Sequence, residues 1–295
     1  MLMPLAAVRR AGDGVLRAVQ AKVAQVAHPA ERETARRGLE EDGYCVLRGV
    51  LTPEECDAVS ASFEDYVASH RAEADEFVLP TKRHSRLINL HLASEAARRA
   101  ITKPRVMNVL DGFFGDVAYV ATSLYFEQSS EQSVHRDTPF FHTKPRLAFA
   151  GVWFALEDVH PDAGPLRYFP GGHRLQATPR VVTSKEEIAG AFAAYCAELS
   201  ERLKAQGLTE HVAFIRKGDC FIWHPELPHG GSPIRSPGLT RRSMVFHCAP
   251  ESTTMYGVEE FFGLVPFSPR PRDLLPLRWG RKMMAHGAPS FAPNV

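Results

Sequence analysis

Three short stretches set a histidine two residues before a carboxylate: His135-Arg136-Asp137, His160-Pro161-Asp162 and His224-Pro225-Glu226. Residues at i and i+2 of an extended chain point to the same side. Such a pair offers a nitrogen and an oxygen donor side by side to a divalent metal. With 13 histidines and 34 acidic residues in 295 positions, chance pairs are expected, so context must separate them. Proline inside the second and third stretches removes a ladder donor and favours a bend. His135-Arg136-Asp137 has no breaker within it and follows a strand-like run over 117–126. The third ligand we expect is His229, with His224 as its rival. Two histidines and one carboxylate on one face of an octahedral ion leave coordination positions open, the donor set of non-haem Fe(II) sites that handle dioxygen.

The elements that must position these residues change character along the chain. Apolar positions Val15, Leu16, Val19, Val23 and Val26 predict an amphipathic helix over 14–27. A second helix is expected over 29–41, then a short strand over 44–47. Thr52-Pro53-Glu54-Glu55 is a helix start, with a hydroxyl cap, proline in the first turn and acids at the positive end of the dipole. Short helices follow over 94–100 and 104–114. From 117 onward β-branched and aromatic residues dominate. Strands are expected over 117–126, 147–156, 164–173, 211–215, 219–223 and 241–248, with one helical insertion over 184–206. The spacing predicts a single domain, 1–295: a mostly helical part over 1–115, a double-sheet jelly-roll core over 116–250, and a tail over 251–295 that packs on the core without a sheet of its own.

Composition bounds the function. The hydrophobic fraction of 44% and charged fraction of 23% are those of an ordinary globular chain. A formal charge of +1 argues against a nucleic-acid or membrane-surface partner, which would need a basic excess. No apolar run of about 18 residues is present, so no membrane span is expected. The first ten residues do not make a convincing signal peptide. Five scattered cysteines without a Cys-x-x-Cys read as reduced thiols of a cytoplasmic protein. Oligomeric state is left open.

Over about 40–250 the chain resembles the phytanoyl-CoA dioxygenase family of Fe(II)/2-oxoglutarate-dependent oxygenases. His135-Arg136-Asp137 looks like the family's His-x-Asp. Gly164-Pro165-Leu166 and Pro170-Gly171-Gly172-His173 are similar to its Gly-Pro-Leu and Pro-Gly-Ser-His signatures, with Gly172 in place of serine. Gly218-Asp219 followed by His229-Gly230 looks like its second ligand strand, and the run Gly230-Gly231-Ser232 favours His229 over His224. The resemblance implies a mainly β, cupin-like double-stranded β-helix. It also implies Fe(II) held by His135, Asp137 and His229, with 2-oxoglutarate as cosubstrate and O2 as oxidant. Trp153 would border the cosubstrate and Arg241 would bind its far carboxylate. Arg242 competes for that role, but Arg241 shares a face with Ser243, and an arginine with a hydroxyl two residues on can hold one carboxylate. The implied reaction oxidises a C–H bond of a small molecule, by hydroxylation or another outcome of hydrogen abstraction, and releases succinate and CO2. Asp137 argues against halogenation, since related halogenases lack that carboxylate. A metal-binding cupin-like isomerase or sensor is the alternative.

Smaller candidates complete the expected site. Lys82 or Arg86, in Lys82-Arg83-His84-Ser85-Arg86, would contact an anionic substrate or cosubstrate, although a solvated loop explains the cluster too. Ser123, Tyr125 and Gln132 are expected to line the pocket. His142, His160, His224 and His247 read as core, turn or surface residues rather than ligands. Lys144 and Arg146 suit an anionic substrate no better than they suit a solvated loop. Substrate choice is expected in the loops over 76–92, 129–134, 138–145 and 184–206.

Overall fold

Alternation along the strands sorts side chains into two cores, and the site belongs to one of them. The computed structural model describes residues 29–267, 274–284 and 288–293. The helix expected over 14–27 lies outside the described residues. The longer helices are α1 (Pro29–Glu41), α2 (Pro53–Ser69), α3 (Pro104–Phe114) and α4 (Glu187–Ala205). The strands are β1 (Tyr44–Leu47), β2 (Arg86–Ile88), β3 (Ala118–Phe126), β4 (His142–Lys144), β5 (Ala150–Ala155), β6 (Leu166–Tyr168) and β7 (His211–Val212). They continue with β8 (Cys220–Trp223), β9 (His229–Gly231), β10 (Ser243–Pro250), β11 (Thr254–Tyr256), β12 (Leu274–Pro276), β13 (Lys282–Met284) and β14 (Ser290–Ala292).

The large sheet runs β1-β8-β5-β10-β3-β13-β12, with β2 also on β3 and β14 on β2. A small sheet, β7-β6-β9, and the pair β4-β11 complete the β structure among the described residues. The architecture is mainly β with flanking helices, a jelly roll. Val152 and Phe154 of β5, Cys220 and Ile222 of β8, and Met244, Phe246 and Cys248 of β10 pack in one core with Leu39, Val59, Phe63 and Val106 of the helices. Their neighbours Trp153, Ala155, Phe221 and Trp223 turn the other way and pack with Tyr168 and Leu227 inside the roll.

Local chemistry explains the helix ends. Thr52 and Glu55 form the full capping box of α2, and Gly115 closes α3 at φ +68°. The tail has no sheet of its own among the described residues. It adds strands to the large sheet: Met283 pairs with Val120, and Phe291 with Leu87. Those positions on β3 and β2 offered unpaired backbone groups, which a further strand satisfies. No helix of the described residues is long and apolar enough to cross a membrane.

Candidate metal centre

His135 lies in the segment after β3, and His229 opens β9. Their backbones exchange two hydrogen bonds, His135 N–H to His229 C=O at 2.9 Å and the reverse at 3.0 Å. This antiparallel bridge sets the two imidazoles side by side, with ring centroids 4.5 Å apart. Glycine after the histidine makes the approach possible, since a Cβ on Gly230 would stand 2.7 Å from the Gln132 carbonyl oxygen. His135, Asp137 and His229 are buried, and each offers one donor atom within 4.8 Å of the others. Asp137 Oδ1 is 3.8 Å from His135 Nε2 and 3.7 Å from His229 Nε2.

The outward nitrogens fix the tautomers. His135 Nδ1 lies 2.7 Å from the Ser133 carbonyl and His229 Nδ1 lies 2.9 Å from that of Leu227. Each Nδ1–H therefore donates to backbone, and each Nε2 lone pair faces the common point. Burial, then the neighbouring His229, lowers the His135 pKa to about 4, so its ring is neutral at ordinary pH. Burial alone would raise the Asp137 pKa, but the imidazoles of His229, His247 and His135 outweigh it and hold the carboxyl below its usual range. Asp137 Oδ2 accepts from Trp223 Nε1 at 2.8 Å and contacts His247 Nε2 at 3.3 Å, which leaves Oδ1 for a metal.

Arg136 points away from its two neighbours and is itself buried. It pairs with Glu226 at 2.7 Å and donates to the carbonyls of Gly172 and Leu175. The turn at Pro170-Gly171-Gly172-His173 thus anchors the residue between His135 and Asp137. His224, the rival of His229, is outside the cluster. It packs against His173 and Phe113, and burial pushes its pKa down to about 3. His142 packs on Phe261 and Phe267, and His160 lies in the expected turn. Asp219 is structural: it accepts from Arg48 and from the backbone of Gly49 and Arg216.

The triad opens on a cavity of about 470 Å³ lined by residues of the large sheet, of the small sheet β7-β6-β9 and of the segments between them. Arg241, Trp153 and Gln132 are among them. The Arg241 guanidinium carbon lies 5.3 Å from the Trp153 ring centroid, a cation–π contact. No carboxylate pairs with Arg241 among the described residues, its Nε has no hydrogen-bond partner, and burial lowers its pKa to about 10. Arg242 contacts Glu64 and Glu157, and of the two arginines Arg241 is the one among the residues that line the cavity. Ser243, two residues on, is fully buried and is not among the residues that line the cavity, and its hydroxyl has no hydrogen-bond partner among the described residues. A buried, unpaired guanidinium in one cavity with an open-sided metal triad fits a dianionic 2-oxo acid that chelates a metal and ends in a second carboxylate.

Three expected pocket residues are elsewhere. Ser123 contacts His91 Nδ1 at 2.7 Å and Tyr125 stacks on Phe63 at 4.2 Å, both on the helix side of the sheet. The cavity is lined instead by Thr122, Leu124 and Phe126. A register shift between His247 and Cys248 reverses the alternation of β3 relative to its start. Lys82 is exposed on a turn, at φ 60°, and is not among the residues that line the cavity, while Arg86, in β2, is. Sequence reasoning also missed Trp223 and His247 as partners of Asp137. No local spacing marks them, because they approach from strands far along the chain.

A family model described as "Phytanoyl-CoA dioxygenase (PhyH)" matches residues 39–243. The Danio rerio "Phytanoyl-CoA dioxygenase domain-containing protein 1" is 24% identical over 283 residues, covering 78% of this chain and 94% of that protein. The "Ectoine dioxygenase" of Nocardia farcinica (strain IFM 10152) is 23% identical over 262 residues, covering 81% and 84%. Among solved structures, the epimerase SnoN in complex with Fe3+, alpha ketoglutarate and nogalamycin RO superposes with a TM-score of 0.62 at 22% identity, over 87% of this chain and 99% of that one.

Proposed function

The chain belongs to the phytanoyl-CoA dioxygenase (PhyH) family, whose members are Fe(II)/2-oxoglutarate-dependent oxygenases, and from that premise we propose that it oxidises a C–H bond of a small organic molecule, hydroxylation being the simplest outcome. The observation that carries this reading is the unpaired Arg241 guanidinium in the cavity of the His135, Asp137 and His229 triad. Fe(II) with 2-oxoglutarate and O2 supplies the power to take a hydrogen atom from carbon, with succinate and CO2 as coproducts. His135 and His229 would hold the iron through Nε2, and Asp137 through Oδ1. Arg241 would form a bidentate pair with the far carboxylate of the cosubstrate, steadied by Trp153 and extended by the Ser243 hydroxyl. Phe140, Phe141, Leu166 and Val245 line the cavity and would keep bulk water from the reacting centre. The five cysteines are free and buried, which supports a reducing, cytoplasmic setting.

Anaerobic addition of Fe(II) and 2-oxoglutarate should give a weak visible charge-transfer band that is lost in Asp137→Ala. Its absence from folded wild-type protein would overturn the reading. A metal-binding isomerase or sensor without oxygenase activity would keep its function in Arg241→Ala; an oxygenase would not.

A further inference from the structure

A second guanidinium faces the same cavity, and whether it serves the substrate or the cosubstrate is open from the sequence. Arg86 lies in β2, two residues before Ile88, and both line the cavity. Its Nε is buried without a hydrogen-bond partner, and no carboxylate pairs with it among the described residues. Burial lowers its pKa. An unpaired cation held this way is costly unless a ligand completes it.

Topology keeps Arg86 apart from Arg241. Strand β3 separates β2 from β10, with Ile88 opposite Leu124 on one flank and Val245 opposite Leu124 on the other. Arg241 leans over Trp153 of β5, beyond β10, which is away from β2. Charge counting then separates their tasks. Asp137 is the cavity's carboxylate among the described residues. With Fe(II), it and the metal-binding carboxylate of a 2-oxo acid sum to zero charge. The far carboxylate of that acid cancels Arg241. One positive charge, that of Arg86, is left for the primary substrate.

Resting on the oxygenase reading above, we propose that Arg86 is the anion-binding residue of the primary-substrate subsite, and that the substrate is a small organic carboxylate. Asn89 lines the same cavity. Its Oδ1 is taken by the Thr122 hydroxyl and the Ser123 N–H, so its amide nitrogen is the end that a carboxylate can use. Ser130 and Gln132 add polar groups to the lining, while Ile88, Leu124, Phe126 and Phe140 fit an apolar body. The volume suits a small ligand, in the usual range of about 300–1,000 Å³.

The test uses 4-nitrobenzoate and its neutral isostere 4-nitrobenzamide with protein loaded with Fe(II) and 2-oxoglutarate without oxygen. Trp153 and Trp223 line the cavity, so quenching of their fluorescence reports binding. The acid should bind at least roughly tenfold more tightly than the amide, as one charge-assisted pair predicts. Arg86→Gln should abolish that preference and Arg86→Lys should keep part of it. The affinity for 2-oxoglutarate, read from the charge-transfer band, should be unchanged in Arg86→Gln. Equal affinity for acid and amide, no saturable binding of the acid, or a preference that survives Arg86→Gln overturns the proposal. A large loss of 2-oxoglutarate affinity in Arg86→Gln also overturns it, by assigning Arg86 to the cosubstrate. A missing band in wild type with an intact acid preference would instead sink the oxygenase reading and leave Arg86 as an anion site.

Discussion

Trp223 Nε1 donates a 2.8 Å hydrogen bond to Oδ2 of Asp137, so the indole decides which carboxylate oxygen is free to bind metal. Trp223→Phe keeps an aromatic ring but removes the donor. Loss of such a supporting bond typically weakens metal affinity about 10–100-fold. Competitive titration with Mn(II) should show this, with the circular dichroism spectrum retained. Unchanged affinity would mean that the strand geometry alone orients Asp137.

The indole can lie there because its cross-strand partner is glycine. Gly151 pairs with Trp223, and a Cβ on it would stand 2.0 Å from the indole ring, far inside contact distance. Gly151→Ala should therefore displace the ring, cost on the order of 1–3 kcal/mol of stability and weaken metal binding together. Chemical denaturation and the Mn(II) titration check the two effects on one variant.

These two contacts show what a sequence can and cannot carry. His135 and Asp137 are legible because period-two alternation is local. Their partners Trp223 and His247 lie 86 and 110 residues from Asp137, and only the folded sheet brings them in. The helix start at Thr52 and the glycine stop at Gly115 are legible for the same local reason. The face of β3 is not, because its alternation passes through a register shift that no residue type announces.

That reversal makes a test of its own. Ser123→Ala and Tyr125→Phe change side chains on the helix side, so both should leave 2-oxoglutarate titrations at wild-type affinity. Leu124→Trp puts a large ring into the cavity and should abolish fluorescence quenching by small ligands. An effect of Ser123→Ala equal to that of Leu124→Trp would contradict the observed facing.

Arg241 and Asp137 should separate by phenotype. Asp137→Ala removes a ligand and should abolish both metal binding and the charge-transfer band. Arg241→Ala should leave metal binding intact and weaken 2-oxoglutarate by roughly a hundredfold, as expected for loss of a desolvated bidentate pair. Arg241→Lys should recover only part, because a point charge lacks the planar fork. Parallel Mn(II) and 2-oxoglutarate titrations read both.

The buried pair Arg136–Glu226 makes a stability prediction that is independent of any ligand. Its side chains are 1% and 8% exposed, with a separation of 2.7 Å. It joins the residue between His135 and Asp137 to the segment that leads into His229. Glu226→Leu leaves Arg136 charged and buried with two backbone carbonyls and the Tyr195 hydroxyl as partners, and should cost about 3–5 kcal/mol. Replacing both, Arg136→Met with Glu226→Leu, removes the desolvation cost along with the attraction and should regain much of that loss. Denaturant melts of the two single variants and the double variant give the coupling directly. Additive losses would mean that the two groups are stabilised by their other contacts and not by each other. A stable double variant with weakened Mn(II) binding would place the value of the pair in aligning His135 and Asp137 with His229, not in holding the fold.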